Sequence, residues 1–262
     1  MDIRLGATLL AACLSLGTVA CASTQQAVQP PSYRDSAQQL YEKGLEQLDS
    51  GDFMQAIASF EAVRNRFPYS SFAALAELRV GDTEFARGQY LAAIDVFQAF
   101  VKLHPSHPDV DWAAFRIGEA HFEALPSDFF LFPSPSERDT TEAQGARKAL
   151  EEFLAAYPQS KYVPRARELL AETLRVLARH ELYAGDFYAS RRKWRGAAGR
   201  YEYLLQNYPN VGYDAEATFK LVDALEQLGD KERAQEALQR FLDRHPEGKN
   251  ADEARRRMRE LR

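Results

Sequence analysis

Two stretches decide the fold: GLEQLDSGDFMQAIASFEAVRNRFP at residues 44–68 and GDTEFARGQYLAAIDVFQAFVKLHP at residues 81–105. They superimpose at a shift of 37 residues, with Gly44 on Gly81, Gly51-Asp52-Phe53 on Gly88-Gln89-Tyr90 and Phe60 on Phe97. Each holds an Ala, a large apolar residue four positions later, and a Pro eight positions after that: Ala56/Phe60/Pro68 and Ala93/Phe97/Pro105. Three more triplets follow, Ala146/Leu150/Pro158, Ala197/Tyr201/Pro209 and Ala234/Leu238/Pro246. Self-similarity at fixed offsets marks a repeat protein. Around the triplets apolar residues recur at helical spacing, as in Leu40, Tyr41, Gly44, Leu45, Leu48 and then Phe53, Ala56, Ile57, Phe60, Val63. Gly51-Asp52 interrupts the two stripes, and Asp52 is a candidate cap for the second helix.

Each unit therefore reads as a helix–turn–helix. The small residue lets two helices approach, the large apolar residue fills the gap between units, and the Pro ends the second helix. The pattern resembles the tetratricopeptide repeat. The expected fold is all-α: an α-solenoid of five tetratricopeptide-like helix pairs plus a C-terminal capping helix.

The terminating prolines are 37, 53, 51 and 37 residues apart, so two units are enlarged. In the third, a loop insertion at 126–140 carries Phe129, Phe130, Leu131 and Phe132 among Pro and Ser. It reads as a hydrophobic lid on the array or as a partner-contacting loop. In the fourth, residues from Tyr162 to Tyr188 read as one long helix. The last repeat spans Tyr213 to His245, and a final helix from Ala251 to Arg262 carries Arg255, Arg256, Arg257, Arg259 and Arg262. That helix is either a solvated cap, as terminal repeats require, or a basic contact patch. The repeats divide into residues 35–158 (units one to three) and 159–262 (units four and five and the cap).

The first twenty residues belong to export. An apolar run from Leu5 to Val19 follows Arg4 and is too short for a membrane span, which takes about 20 residues. It ends in Thr18-Val19-Ala20-Cys21, which resembles the bacterial lipobox; an ordinary secretory signal is the alternative. Cleavage before Cys21 removes Cys13, and the remaining lone Cys21 suits lipid attachment at the head of a Ser-, Thr-, Gln- and Pro-rich tether, residues 21–34. Ala22 follows the Cys, and without an Asp there sorting to the outer membrane is expected.

The formal net charge of −5 gives no reason to expect nucleic acid. Residues 1–158 hold 12 Lys and Arg against 21 Asp and Glu, and residues 159–262 hold 21 against 17. The split reads as two surfaces with different partners or as drift in solvated helix faces. Catalytic patterns are missing: there is no G-x-S-x-G, P-loop or H-E-x-x-H. His104 and His107 flank Pro105 in a turn rather than sharing a helix face, so no metal site is expected. Glu151 and Glu152 point to different helix faces. Neither an enzyme nor a cofactor is expected.

Between the repeat positions lie more specific segments. Leu103-His-Pro-Ser-His-Pro-Asp-Val-Asp-Trp112, the Phe129-Phe130 loop ending at Asp139, and Phe187-Tyr188, Arg191, Lys193-Trp194, Ala197-Ala198, Arg200-Tyr201 through Asn207-Tyr208-Pro209 resemble the BamD family of outer-membrane lipoproteins across the whole mature chain. The resemblance implies a periplasmic adaptor of the β-barrel assembly complex. Its C-terminal repeats would dock a POTRA domain of the BamA barrel, and other Bam lipoproteins would be companions. Its N-terminal repeats would receive unfolded barrel clients. On this resemblance Arg200, with Trp194, belongs to the docking surface; Phe187, Tyr188 and Arg191 match client-related positions; Phe67 matches an aromatic of the client groove. Read from the residues alone, Phe67 is equally a helix-end plug and Arg200 a surface salt bridge. The competing reading is another periplasmic repeat lipoprotein scaffolding the envelope or division machinery.

Overall fold

The computed structural model describes residues 32–125 and 139–261. The signal segment, Cys21, nearly all of the tether and nearly all of the insertion at 126–140 lie outside the described residues. Eleven α-helices follow one another, with no strand among the described residues: α1 Tyr33–Asp49, α2 Phe53–Arg66, α3 Ser71–Ala86, α4 Tyr90–Leu103, α5 Val110–Glu123, α6 Thr141–Ala156, α7 Val163–Ser190, α8 Trp194–Asn207, α9 Asp214–Gln227, α10 Lys231–Arg244 and α11 Lys249–Glu260. Each packs chiefly on its sequence neighbours, giving five stacked antiparallel pairs closed by α11. The fold is the all-α solenoid expected from the triplets.

The triplets explain the pairing. Ala56, Ala93, Ala146, Ala197 and Ala234 are all fully buried, as are Phe60, Phe97, Leu150 and Leu238, with Tyr201 at 1% exposure. The small residue of the first helix faces the large one: a Cβ on Gly44 would meet the Phe60 ring at 2.6 Å, and one on Gly185 would meet the Tyr201 ring at 2.3 Å. No larger side chain fits at Gly185 without displacing that ring. Every second helix ends on an aromatic residue before its Pro: Phe67, His104, Tyr157, Tyr208 and His245, all near φ −130°. His104 and His107 stand in the expected turn, where the His107 N–H donates to the His104 carbonyl at 3.0 Å.

The long helix of the fourth unit is present as α7, 28 residues with Pro164 in its first turn. Its N-terminal half places Val163, Ala166 and Leu169 against Phe115, Leu150 and Phe153 of the third pair. Its C-terminal half places Leu177, Ala178 and Leu182 in a second core with Tyr201, Leu204, Leu221 and Leu225. One helix thus joins the two halves of the array. Two details differ from the sequence reading. The final helix starts at Lys249 and ends at Glu260. Asp52 makes no side-chain cap; the turn is closed by its backbone N–H, which donates to the Gln47 carbonyl at 2.8 Å. Among the described residues no helix is long and apolar enough to cross a membrane, and no group of three His, Cys, Asp or Glu side chains could hold a metal ion.

Candidate functional site

Helices in an antiparallel stack reverse at alternate edges, so all turns within pairs lie on one edge of the solenoid. Four of these turns are described, at residues 50–52, 87–89, 191–193 and 228–230, and they share one construction. In the fourth pair, the Lys193 N–H donates to the Tyr188 carbonyl (3.0 Å) and the Arg192 N–H to the Ala189 carbonyl (2.8 Å). The same two bonds close the others, as from Gln89 to Glu84 and from Gly88 to Phe85, both 2.9 Å. This is the Schellman helix end, whose penultimate residue is left-handed and ordinarily Gly. Gly51, Gly88 and Gly229 fill that position at φ 79°, 76° and 75°. In the α7–α8 turn it is Arg192, at φ 56°. A side chain there costs about 1–2 kcal/mol relative to a right-handed residue. From sequence, Arg192 reads only as part of the basic run Arg191-Arg192-Lys193 with Arg195, suited by charge to an acidic domain surface; its left-handed backbone was missed, and the signal was the loss of Gly at a position where its sister turns keep it.

Four of the six partner-binding candidates gather at this turn. Phe187 is 44% exposed; its ring meets Tyr188 edge-on at 6.0 Å. The Arg191 guanidinium lies over the Phe187 ring at 3.5 Å and donates to the Phe187 carbonyl at 3.2 Å. Two contacts thus fix an exposed cation on an exposed aromatic ring, a pairing worth about 0.5–1 kcal/mol at such sites. Trp194 opens α8 and packs half-buried on the core. Tyr188 lies flat against the second helix, since a Cβ on Gly196 would sit 3.2 Å from its ring.

Arg200 stands further along α8, where its Nη1 donates to Glu181 Oε2 at 3.0 Å. The Glu181 side chain is only 11% exposed, while Arg200 keeps 44% exposure. This hydrogen bond, with a smaller contribution from Tyr188, raises the Arg200 pKa above its ordinary value. The geometry is the salt bridge that the residues alone allowed, and its outward half remains accessible. Below it, Tyr201 donates its hydroxyl to Asp186 (2.7 Å), and Lys220 pairs with the other Asp186 oxygen (2.6 Å). Burial, and then Asp186, push the Tyr201 phenol far above its usual range. The acids beneath the turn are therefore occupied. Arg191, Arg192, Lys193 and Arg195 have no ion-pair partner among the described residues, and no Asp or Glu occurs in residues 187–199.

Phe67 is not brought to this cluster. It is the half-buried C-cap of α2, edge-on to Tyr33 at 5.1 Å, with the Arg66 guanidinium 5.7 Å from its ring centre. It repeats the aromatic helix end of the other four pairs. Cys21 lies outside the described residues.

A family model described as outer membrane lipoprotein (YfiO) matches residues 33–237, and a tetratricopeptide repeat model matches residues 219–257. The outer membrane protein assembly factor BamD of Neisseria meningitidis serogroup B is 30% identical over 246 residues, which cover 90% of this chain and 89% of that protein. BamD of Caulobacter vibrioides is 27% identical over 195 residues, 74% of this chain; the match spans 61% of that relative's length. Among solved structures, the TPR2AB-domain:pHSP90 complex of yeast Sti1 has a TM-score of 0.45 at 14% identity, covering 80% of this chain and 78% of that one.

Proposed function

The chain belongs to the YfiO family of outer membrane lipoproteins, and from that premise we propose that it is a non-enzymatic assembly factor for outer-membrane proteins. Cys21 carries the lipid that holds it to the periplasmic face of the outer membrane. The α7–α8 turn, with Trp194 and Arg200, docks the POTRA region of a BamA-like barrel, and the adjoining Phe187–Arg191 stack with Tyr188 also meets unfolded clients, as the family resemblance implies. Unfolded barrel clients and other Bam lipoproteins are its further partners. The observation that supports this most is the turn itself: exposed aromatic and cationic groups mounted on a buried frame. Such a rigid, pre-positioned patch loses little entropy on docking.

Purification of the lipidated protein from detergent-solubilised membranes tests the reading. A BamA-like barrel should co-purify, and recovery without any barrel would discard the adaptor role in favour of another envelope scaffold. Arg200→Glu places a second carboxylate beside buried Glu181, so its helical circular dichroism must be checked. Arg191→Glu, on the exposed side of the turn, should weaken capture with the fold intact. Mass spectrometry of the mature N-terminus tests the anchor, and an unmodified Cys21 would refute it.

A further inference from the structure

We propose that the α7–α8 turn is a cation clamp for a carboxylate-rich protein surface, with Arg192 and Lys193 as its determinants. The inference rests on the docking role proposed above and names the chemistry of that contact. Three sister turns carry Gly at the left-handed position and Arg192 stands there alone, at φ 56°. Strain of this kind persists because the surrounding turn over-determines the backbone, and where a Gly would relieve it, it clusters at ligand clamps and other functional sites. Here nothing inside the molecule benefits. Arg192 and Lys193 are exposed, and neither has an ion pair or a side-chain hydrogen bond among the described residues. Arg191 ends α7 at φ −99° and ψ 10°, Arg192 is left-handed at φ 56°, and Lys193 precedes α8, so successive cations leave one turn, with Arg195 one step into α8. Four like charges in five positions repel one another unless an anionic partner is present.

The partner is a protein rather than a lipid surface. The chain enters the solenoid at Tyr33, the start of α1, on the edge opposite the within-pair turns. A 17-residue helix separates the two edges, about 25 Å at 1.5 Å per residue. Cys21 is 12 residues from Tyr33, a tether that reaches about 40 Å when extended, so the choice of a protein partner rests on the side chains at the turn. Phe187 and Trp194 beside the cations supply the aromatic anchors that protein interfaces favour.

Carbodiimide coupling in intact outer membranes joins lysine amines directly to carboxylates in contact with them. Lys193 should couple to an Asp or Glu of another protein, whereas exposed Lys148, elsewhere in the array, should not. In parallel, Arg192→Gly should raise the melting temperature by about 2–4 °C, because the strain is relieved. The same variant should weaken capture of the coupled protein by about two- to fivefold at low salt, a difference that vanishes at high salt. Arg192→Glu should weaken it by on the order of tenfold. Coupling of Lys193 to a protein that is not a barrel would leave this inference standing and remove the proposed docking role. Capture of a barrel with Lys193 uncoupled and with Arg192→Gly binding as well as the parent would overturn the inference alone. Arg192-dependent binding to phosphatidylglycerol vesicles, without coupling to protein, would overturn it in favour of a lipid.

Discussion

Two regions of this molecule are conspicuously basic, and they are built in opposite ways. In α11, Arg255 pairs with Asp252 at 3.0 Å, Arg256 with Glu253 at 2.6 Å, and Arg257 with both Glu253 (3.0 Å) and Asp223 of α9 (2.5 Å). The Arg257 guanidinium also lies 5.0 Å from the Phe219 ring. These cations are each paired with an acid, Arg255 and Arg256 on the exposed face of α11 and Arg257 also across to α9, as in a solvated cap. The α7–α8 turn carries Arg191, Arg192, Lys193 and Arg195 with no acid in residues 187–199, and its cations face outward. A count of arginines does not separate the two. What separates them is whether acids sit three or four residues away on the same helix, where side chains meet.

The largest expected effect strikes the frame under the turn. Gly185→Ala would put a Cβ 2.3 Å from the Tyr201 ring, which is 1% exposed and pinned by Asp186, so it cannot step aside. The cost should be about 1–3 kcal/mol, read as a fall of about 2–10 °C in thermal circular dichroism. Partner capture should fall with it. Gly199→Ala, on the same pair where nothing lies within 4 Å, should instead stabilise by up to about 1 kcal/mol. Equal loss from both would mean that the close helix approach is not what organises the turn. A smaller effect is expected at the cap. Arg257→Ala removes two ion pairs and a ring contact that are partly solvated, costing about 1 kcal/mol, and should leave partner capture unchanged. Lost capture would make the cap a contact site after all.

The frame was legible because its contacts are local and repeat. Gly44, Gly81 and Gly185 announce the rings of Phe60, Phe97 and Tyr201 sixteen residues on, and stretched proline spacing announced α7. The partner-facing features were less legible. That α7 links two cores depends on Val163 and Leu182 meeting different neighbours, which no local pattern encodes. Phe67 looked distinctive only while the Pro of each triplet was read without the residue before it; Phe67, His104, Tyr157, Tyr208 and His245 form a series with a structural cause. The charge of Arg192 was legible within the run 191–195, but its left-handed backbone was hidden because the turn that the repeat dictates imposes it, not the residue. Aligning Arg192 with Gly51, Gly88 and Gly229 exposes it.

Acid should separate the two basic regions with the gentlest perturbation. Hydrogen bonds from Arg257, and then Arg256, hold the Glu253 carboxyl below its ordinary pKa. A carboxylate whose folded value is depressed adds stability at neutral pH, and that stability is lost as pH falls through the folded value, below the usual carboxylate range near about 4. As the pH drops, α11 should fray because Glu253 ceases to hold Arg256 and Arg257 within the helix. Residues 187–199 contain no carboxylate to protonate, so the turn should keep its local protection until the array itself unfolds. Amide hydrogen exchange from pH 7 downward checks this, after correction for intrinsic rates. Residues 249–260 should lose protection first, and simultaneous loss in both regions would mean that the cap's paired charges do not hold the helix together.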